Sequence, residues 1–421
     1  MADVYDGPIF LQSKNYPKHL VGFTMDGEVT MGSKGKRFLM VPGLTGDHGT
    51  VSFRSVDKDD FYLRHADSVL YCEHVSDNRN PGSFNEDATF RVHKDRWMGG
   101  YFCFESVNFP DHYIRHYDYR LRISNENEEA DPQLFHDDAS WRAVEGPFKL
   151  QSKNYPDNFV NMDGDEAYIN TEGTEFYLVR PGMKGGTSAV SLLPIQHQCN
   201  CLLRHFCSEL YAECPEDCRN PESMGDDASF FISPDRFSGG YFALESINFP
   251  EHFVRHANSR VRIDQDDGTD VMHEDASFRT IKGPMAIYSY NYPEQGFGYN
   301  GDKEGYMQED PKRFYVTFPG LNRQPGSVSF EAVEFNNHFL RHYDYELQLE
   351  DQFEGRNVAS LPEDASFRMK EDTWFEGTVV FESWNFPNHY IRHECGRLKI
   401  SEYEDSDLFR KDASFRLQYE V

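Results

Sequence analysis

The sequence predicts an all-β protein of three tandem domains, each assembled from three similar units. Three observations carry this: a segment returns about every 140 residues, a shorter unit recurs inside each copy, and β-branched or aromatic runs are broken by turn residues.

The long repeat opens with Gly7-Pro8 through Asn15-Tyr16-Pro17. It returns as Gly146-Pro147 through Asn154-Tyr155-Pro156, and more loosely as Gly283-Pro284 through Asn291-Tyr292-Pro293. Domains are therefore expected over residues 1–144, 145–281 and 282–421, with joints as short as Trp141 to Gly146 and Phe278 to Gly283. A chain of 421 residues is too long for one ordinary core, and 38% hydrophobic content with 15% aromatic residues fills three compact ones.

The short unit is clearest at the end of each copy. Phe104-Glu105-Ser106-Val107-Asn108-Phe109-Pro110 is followed by Tyr113-Ile114-Arg115-His116 and then Asp138-Ala139-Ser140-Trp141. The same order runs from Leu244 through Arg255-His256 to Asp275-Ala276, and from Phe381 through Arg392-His393 to Asp412-Ala413. The middle units keep Arg64-His65 with Asp87-Ala88, Arg204-His205 with Asp227-Ala228, and Arg341-His342 with Asp364-Ala365. The opening units carry neither pair. Each unit reads as about four strands in 45 residues, with no helical period, so three units give about twelve strands. That count with threefold symmetry fits a β-trefoil, a six-stranded barrel closed by three hairpins. A β-propeller ranks second, because nine units grouped in threes do not make one uniform ring.

The pattern Phe-Glu-Ser-x-Asn-Phe-Pro, Tyr-Ile-Arg-His, Asp-Ala-Ser-Phe-Arg resembles the arabinofuranose-binding β-trefoil found beside α-L-arabinofuranosidases, carbohydrate-binding module family 42. Six of the nine units match strongly, and the opening units match through Ser-x-Asn-Tyr-Pro alone. The resemblance implies shallow pockets for a furanose, with the His of Arg-His and the Asp of Asp-Ala among the polar contacts. The implied ligand-binding residues are His65 with Asp87, His116 with Asp138, His205 with Asp227, His256 with Asp275, His342 with Asp364, and His393 with Asp412. The spacing is 22 residues in four pairs and 19 in two, a hairpin-sized loop that lets the ends meet. A carboxylate accepts from vicinal hydroxyls, an imidazole serves a third, and a nearby ring covers the sugar's C–H face. Strand alternation puts neighbouring Arg and His on opposite faces, so Arg is expected in a structural ion pair. The same alternation expects Ala and Phe of Asp-Ala-Ser-Phe in the core and Asp, Ser and Arg on the other face. A second reading stays open: Arg, His and Asp form a hydrogen-bonded clasp that the fold itself needs.

Other signals are weaker. Cys199, Cys201, Cys207, Cys214 and Cys218 lie near His197 and His205, but four of them replace Phe61, Asp67, His74 and Asn78 of the first copy without a gap. They read as free thiols rather than a zinc site. Gly296-x-Gly298-x-x-Gly301 lacks the strand-then-helix context of a dinucleotide fingerprint. Asp264 to Gly268 starts like a calcium loop but has its Gly one position early and no bidentate Glu in register. No nucleophile elbow or zinc-protease motif is present, so no enzyme, cofactor or metal is expected.

With 71 acidic against 42 basic side chains, the net charge of −29 repels phosphate backbones and anionic membranes. The start, Met1 to Asp6, lacks a basic and apolar leader pattern, and no Asn sits in an Asn-x-Ser/Thr sequon. The expectation is a cytoplasmic, multivalent, lectin-like protein with a sugar or glycan ligand. The alternative is an intracellular scaffold with a protein partner, analogous in architecture to the tandem trefoils of fascin.

Overall fold

The computed structural model describes residues 7–184, 189–195 and 200–419. The first trefoil comprises β1 (Phe10–Ser13), β2 (Leu20–Phe23), β3 (Val29–Gly32), β4 (Phe38–Pro42), β5 (Thr50–Ser55), β6 (Phe61–Ala66), β7 (Val69–His74), β8 (Phe90–Lys94), β9 (Phe102–Ser106), β10 (His112–Tyr117), β11 (Arg120–Asn125) and β12 (Trp141–Ser152). Six of these close a barrel: β4 pairs β5, β5 pairs β8, β8 pairs β9, and Trp141 of β12 pairs Phe102 of β9. Phe10↔Val144 to Ser13↔Trp141 join β1 to β12, and the bridge Ile9↔Phe38 completes the ring. Closure leaves no long unpaired edge. The other six strands form three hairpins, β2–β3, β6–β7 and β10–β11. Their ends meet in a triangle at Thr30↔Arg120, Val69↔Arg122 and Glu28↔Tyr71.

Alternation explains the core. Phe38, Phe53, Phe90, Phe102, Phe104 and Trp141 turn inward with Val51, Leu63, Leu70, Ile114 and Leu121. Each fully buried large side chain contributes about 1.5–3 kcal/mol, and Phe53 meets Phe104 edge to face at 4.9 Å. The third trefoil repeats the arrangement around Phe297, Phe314, Phe330, Phe367, Phe381 and Phe415.

The joint at Trp141 to Gly146 is strand rather than loop. β12 closes the first barrel with Trp141–Val144, shifts register at the left-handed Gly146, and opens the second trefoil with Phe148–Ser152. The strand Phe278–Ser289 has the same shift, between Lys282 and Met285. The chain divides into two compact units, Met1–Phe278 and Arg279–Val421. Within the first unit, Leu20 and Val144 pack with Val179, Leu193, Leu202, Met224 and Ala228, and Asn200 donates to the Lys14 carbonyl at 3.1 Å.

Among the described residues six short α-helices correct the expectation of no helical period: α1 (Phe84–Asp87), α2 (Pro132–Asp138), α3 (Met224–Asp227), α4 (Asp270–Asp275), α5 (Leu361–Asp364) and α6 (Asp407–Asp412). At four to seven residues they are too short to display a 3.6-residue period. Polar caps start the longer three, with Asp131, Thr269 and Ser406 accepting from Leu134, Met272 and Phe409 amides. Each helix ends on the Asp of its Asp-Ala pair. Among the described residues, no helix is long and apolar enough to cross a membrane.

Candidate functional site

All six Arg-His dipeptides sit at the same place, the last turn of a strand before a two-residue hairpin turn. Asp67-Ser68, Asp118-Tyr119, Cys207-Ser208, Asn258-Ser259, Asp344-Tyr345 and Cys395-Gly396 all adopt left-handed φ values, the conformation that matches the twist of the flanking strands. The hairpin brings the His beside the helix end that carries the Asp. In each pair the imidazole Nε2 lies 3.4–3.9 Å from Asp Oδ1.

A third residue, which sequence reasoning did not assign to the site, bridges the two. It is the Asn of Ser-x-Asn-Phe/Tyr-Pro, and it comes from a different unit. Asn108, Asn248 and Asn385 of the third units serve the second-unit pairs. Asn15, Asn154 and Asn291 of the opening units serve the third-unit pairs. Each Asn donates Nδ2 to Asp Oδ1 at 2.7–2.8 Å. Its Oδ1 lies 2.7–3.1 Å from the His Nε2. The Ser two residues earlier donates to the same Oδ1 at 2.7–3.0 Å.

The network fixes the protons. An ionised carboxylate only accepts, so the Asn amide must face it with nitrogen, and Asn Oδ1 must receive Nε2–H. Each His therefore carries a proton on Nε2. Burial holds all six imidazoles below their ordinary value of 6.5, opposed by the neighbouring Asp and, for His65, His205 and His342, by the Asn.

The arginines fill the structural role expected of them. Arg115, Arg255 and Arg392 donate to Asp Oδ2 at 2.6, 2.6 and 2.9 Å, and Arg64, Arg204 and Arg341 bond the corresponding Oδ2 of Asp87, Asp227 and Asp364. The latter three also pair with Glu73, Glu213 and Glu350 at 2.9–3.1 Å. The alternation argument fails for the Asp itself. Because it ends a helix rather than lying on a strand, Asp and the following Ser or Thr are buried, as at Asp87 with Thr89 and Asp138 with Ser140. One carboxylate thus serves Arg on one oxygen and faces His with the other.

What remains at the surface is an aromatic ring. Phe109, Phe249 and Phe386, or Tyr16, Tyr155 and Tyr292, follow the bridging Asn and stand edge-on to the His, with centroids 5.1–5.4 Å apart. These rings are 36–54% exposed, whereas the His residues are at most 5% exposed. Each site is a buried polar clasp under an open ring. The Ser-x-Asn-Phe/Tyr-Pro repeat was the signal for this half of the site.

The opening units thus contribute although they lack Arg-His. The third junction of each trefoil differs: Gly22-Phe23 replace Arg-His in the first, with Lys58 5.3 Å over the Phe23 ring. In the third, Gly298-Tyr299 stand there and the Tyr299 hydroxyl donates to Glu334 at 2.9 Å.

The weaker signals resolve locally. Cys201 and Cys214, read as free thiols, form a disulfide across the hairpin of Leu202–Phe206 and Glu209–Glu213; Cys207 and Cys218 are free. His197 and Cys199 lie outside the described residues, as do Met1 to Asp6. Gly296 and Gly298 lie in a strand where a Cβ would strike the Ile287 carbonyl and the Gln308 side chain, which explains the glycines without a phosphate. Asp266 and Asp267 accept from Gly268, His273 and Thr269 within their own turn. Among the described residues no group of three or more His, Cys, Asp or Glu is placed to hold a metal.

Known proteins resemble this chain in sequence over most of its length. The family model described as the alpha-L-arabinofuranosidase B (ABFB) domain matches residues 9–143, 99–178, 220–309 and 302–417. Alpha-L-arabinofuranosidase B of Emericella nidulans is 35% identical over 104 residues, which is 24% of this chain and 19% of that protein's length. The chain therefore spans about a fifth of that relative. An arabinofuranosidase complexed with arabinofuranosyl-alpha-1,2-xylobiose aligns over 79% of this chain and 91% of its own at 12% identity and a TM-score of 0.28. The hemolytic lectin CEL-III aligns over 70% and 69% at 11% identity and a TM-score of 0.26.

Proposed function

The chain belongs to the alpha-L-arabinofuranosidase B (ABFB) domain family, and on that premise we propose that it is a multivalent, non-catalytic carbohydrate-binding protein. It holds a furanose at the second-unit and third-unit clasps of each trefoil, six sites in all. The observation that carries this reading is the exposed ring held over a buried His–Asn–Asp clasp at six junctions. A ring in that position stacks on a sugar's C–H face, and Asp Oδ1 keeps a lone pair for a hydroxyl. Linking six weak sites gains avidity without new contacts. Domain limits at 144/145 and 281/282 put two sites in each trefoil.

Calorimetry with arabinofuranosides and other small sugars tests the reading, and silence from all of them at millimolar concentration sinks it. The packing of the first two trefoils across Leu20, Val144, Val179 and Met224 favours a second reading, a protein-interaction scaffold. Co-sedimentation with actin filaments in the absence of any sugar binding would support that reading instead.

A further inference from the structure

The six rings are alike in place but not in the polar atoms beside them. In the second-unit sites the residue three after Phe is always histidine: His112, His252 and His389. Each donates Nδ1–H to the carbonyl of Pro110, Pro250 or Pro387 at 3.0, 3.0 and 3.2 Å, since a carbonyl only accepts. That bond leaves Nε2 as a bare acceptor. The imidazole centroids lie 5.7–5.8 Å from those of Phe109, Phe249 and Phe386, and no described residue bonds their Nε2. In the third-unit sites the same position holds His19, Asn158 or Gln295, and the ring is tyrosine. The hydroxyls of Tyr16, Tyr155 and Tyr292 have no partner among the described residues, on rings 40–54% exposed.

We propose that the six sites are of two chemical kinds, distinguished by residues outside the His–Asp pairs. Second-unit sites take a ligand hydroxyl as donor onto Nε2 of His112, His252 or His389. Third-unit sites meet the ligand with the Tyr16, Tyr155 or Tyr292 hydroxyl, which both donates and accepts. This rests on the sugar-binding reading and sets what each kind of site recognises. Both kinds bind a small furanoside, but only the second-unit sites join a hydroxyl-free ring to an imidazole in all three trefoils.

The test titrates methyl α-L-arabinofuranoside into the full chain, into the triple variant His112→Ala, His252→Ala, His389→Ala, and into Tyr16→Phe, Tyr155→Phe, Tyr292→Phe. Each triple is expected to weaken three of the six sites about fivefold, the worth of one neutral hydrogen bond, and to leave the other three unchanged. The fold accepts non-histidine residues at the equivalent Asn158 and Gln295, and a matching thermal midpoint confirms it for the variants. Wild-type affinity at every site in both alanine and phenylalanine triples overturns the proposal, as does equal weakening of all six. No heat with the wild-type chain overturns the underlying sugar reading instead, so the two failures are distinct.

Discussion

The Asn15 amide nitrogen donates to Asp138 Oδ1 at 2.7 Å across 123 residues of chain, joining the opening unit of the first trefoil to its last. Asn154 with Asp275 and Asn291 with Asp412 repeat the bond across 121 residues. The proposed binding sites and fold closure therefore share residues, and substitutions must be chosen to separate them.

Asp138 is the wrong residue with which to test binding alone. Asp138→Ala removes one of the two carboxylates 2.6 Å from Arg115, 4% exposed, leaving it only the more exposed Glu129, and takes the acceptor from Asn15. Leaving a buried charge wholly unpaired costs about 3–5 kcal/mol, and with Glu129 retained denaturant unfolding should shift by up to about 3 kcal/mol. A loss below about 1 kcal/mol would remove the clasp from the stability of the fold.

The rings separate the roles. Tyr155 is 54% exposed and touches the clasp only edge-on, so Tyr155→Ala should change stability by under about 1 kcal/mol. Its expected effect is the loss of one binding site, read as a lower calorimetric stoichiometry. An unchanged stoichiometry would take the ring out of recognition.

Acidification should loosen all three trefoils. Each of the six clasp histidines is held below 6.5 when folded, so as pH falls below 6.5 the unfolded chain takes up protons that the folded chain refuses. Stability is thus full above 6.5 and declines below it, by up to about 1.4 kcal/mol per pH unit for each histidine. Urea unfolding at pH 7.5 and pH 5.5, where surface carboxylates stay ionised, should show a lower midpoint in acid. Equal midpoints would mean that the imidazoles are not held neutral.

Arg142 is 2% exposed, lies 4.2 Å over the Tyr101 ring, and its Nε and Nη1 have no hydrogen-bond partner among the described residues. Burial pulls its pKa down, with only Tyr101 opposing. Replacing such a charge by an apolar residue of similar volume is expected to be neutral or stabilising by about 1–4 kcal/mol, so Arg142→Met should raise the thermal midpoint or leave it. A falling midpoint would show that the cation–ring contact outweighs desolvation.

The Cys201–Cys214 disulfide predicts that reduction adds two hydrogens to the intact mass and exposes two further thiols to alkylation. Disulfides persist in oxidising compartments, so protein purified without reductant is the material to weigh. A mass unchanged by reduction would return both residues to free thiols.

The repeat pattern gave the trefoils because turn chemistry and alternation are local properties. His and Asp could be paired from sequence because only 19 or 22 residues separate them. Asn15 could not be paired with His116 that way, since their contact depends on barrel closure. The helices escaped notice because one turn has no period, and with them went the burial of Asp87 and Thr89. The Cys201–Cys214 bridge was hidden because only register sets Cys201 opposite Cys214.

Since Asn15, Asn154 and Asn291 come early in their trefoils and Asp138, Asp275 and Asp412 come last, three of the six clasps form only when a domain's ends meet. During synthesis the Asn waits through the whole domain for its acceptor, so these clasps are late, high-contact-order events. A complete third-unit site is a seal, present only on a trefoil whose last strand has been delivered.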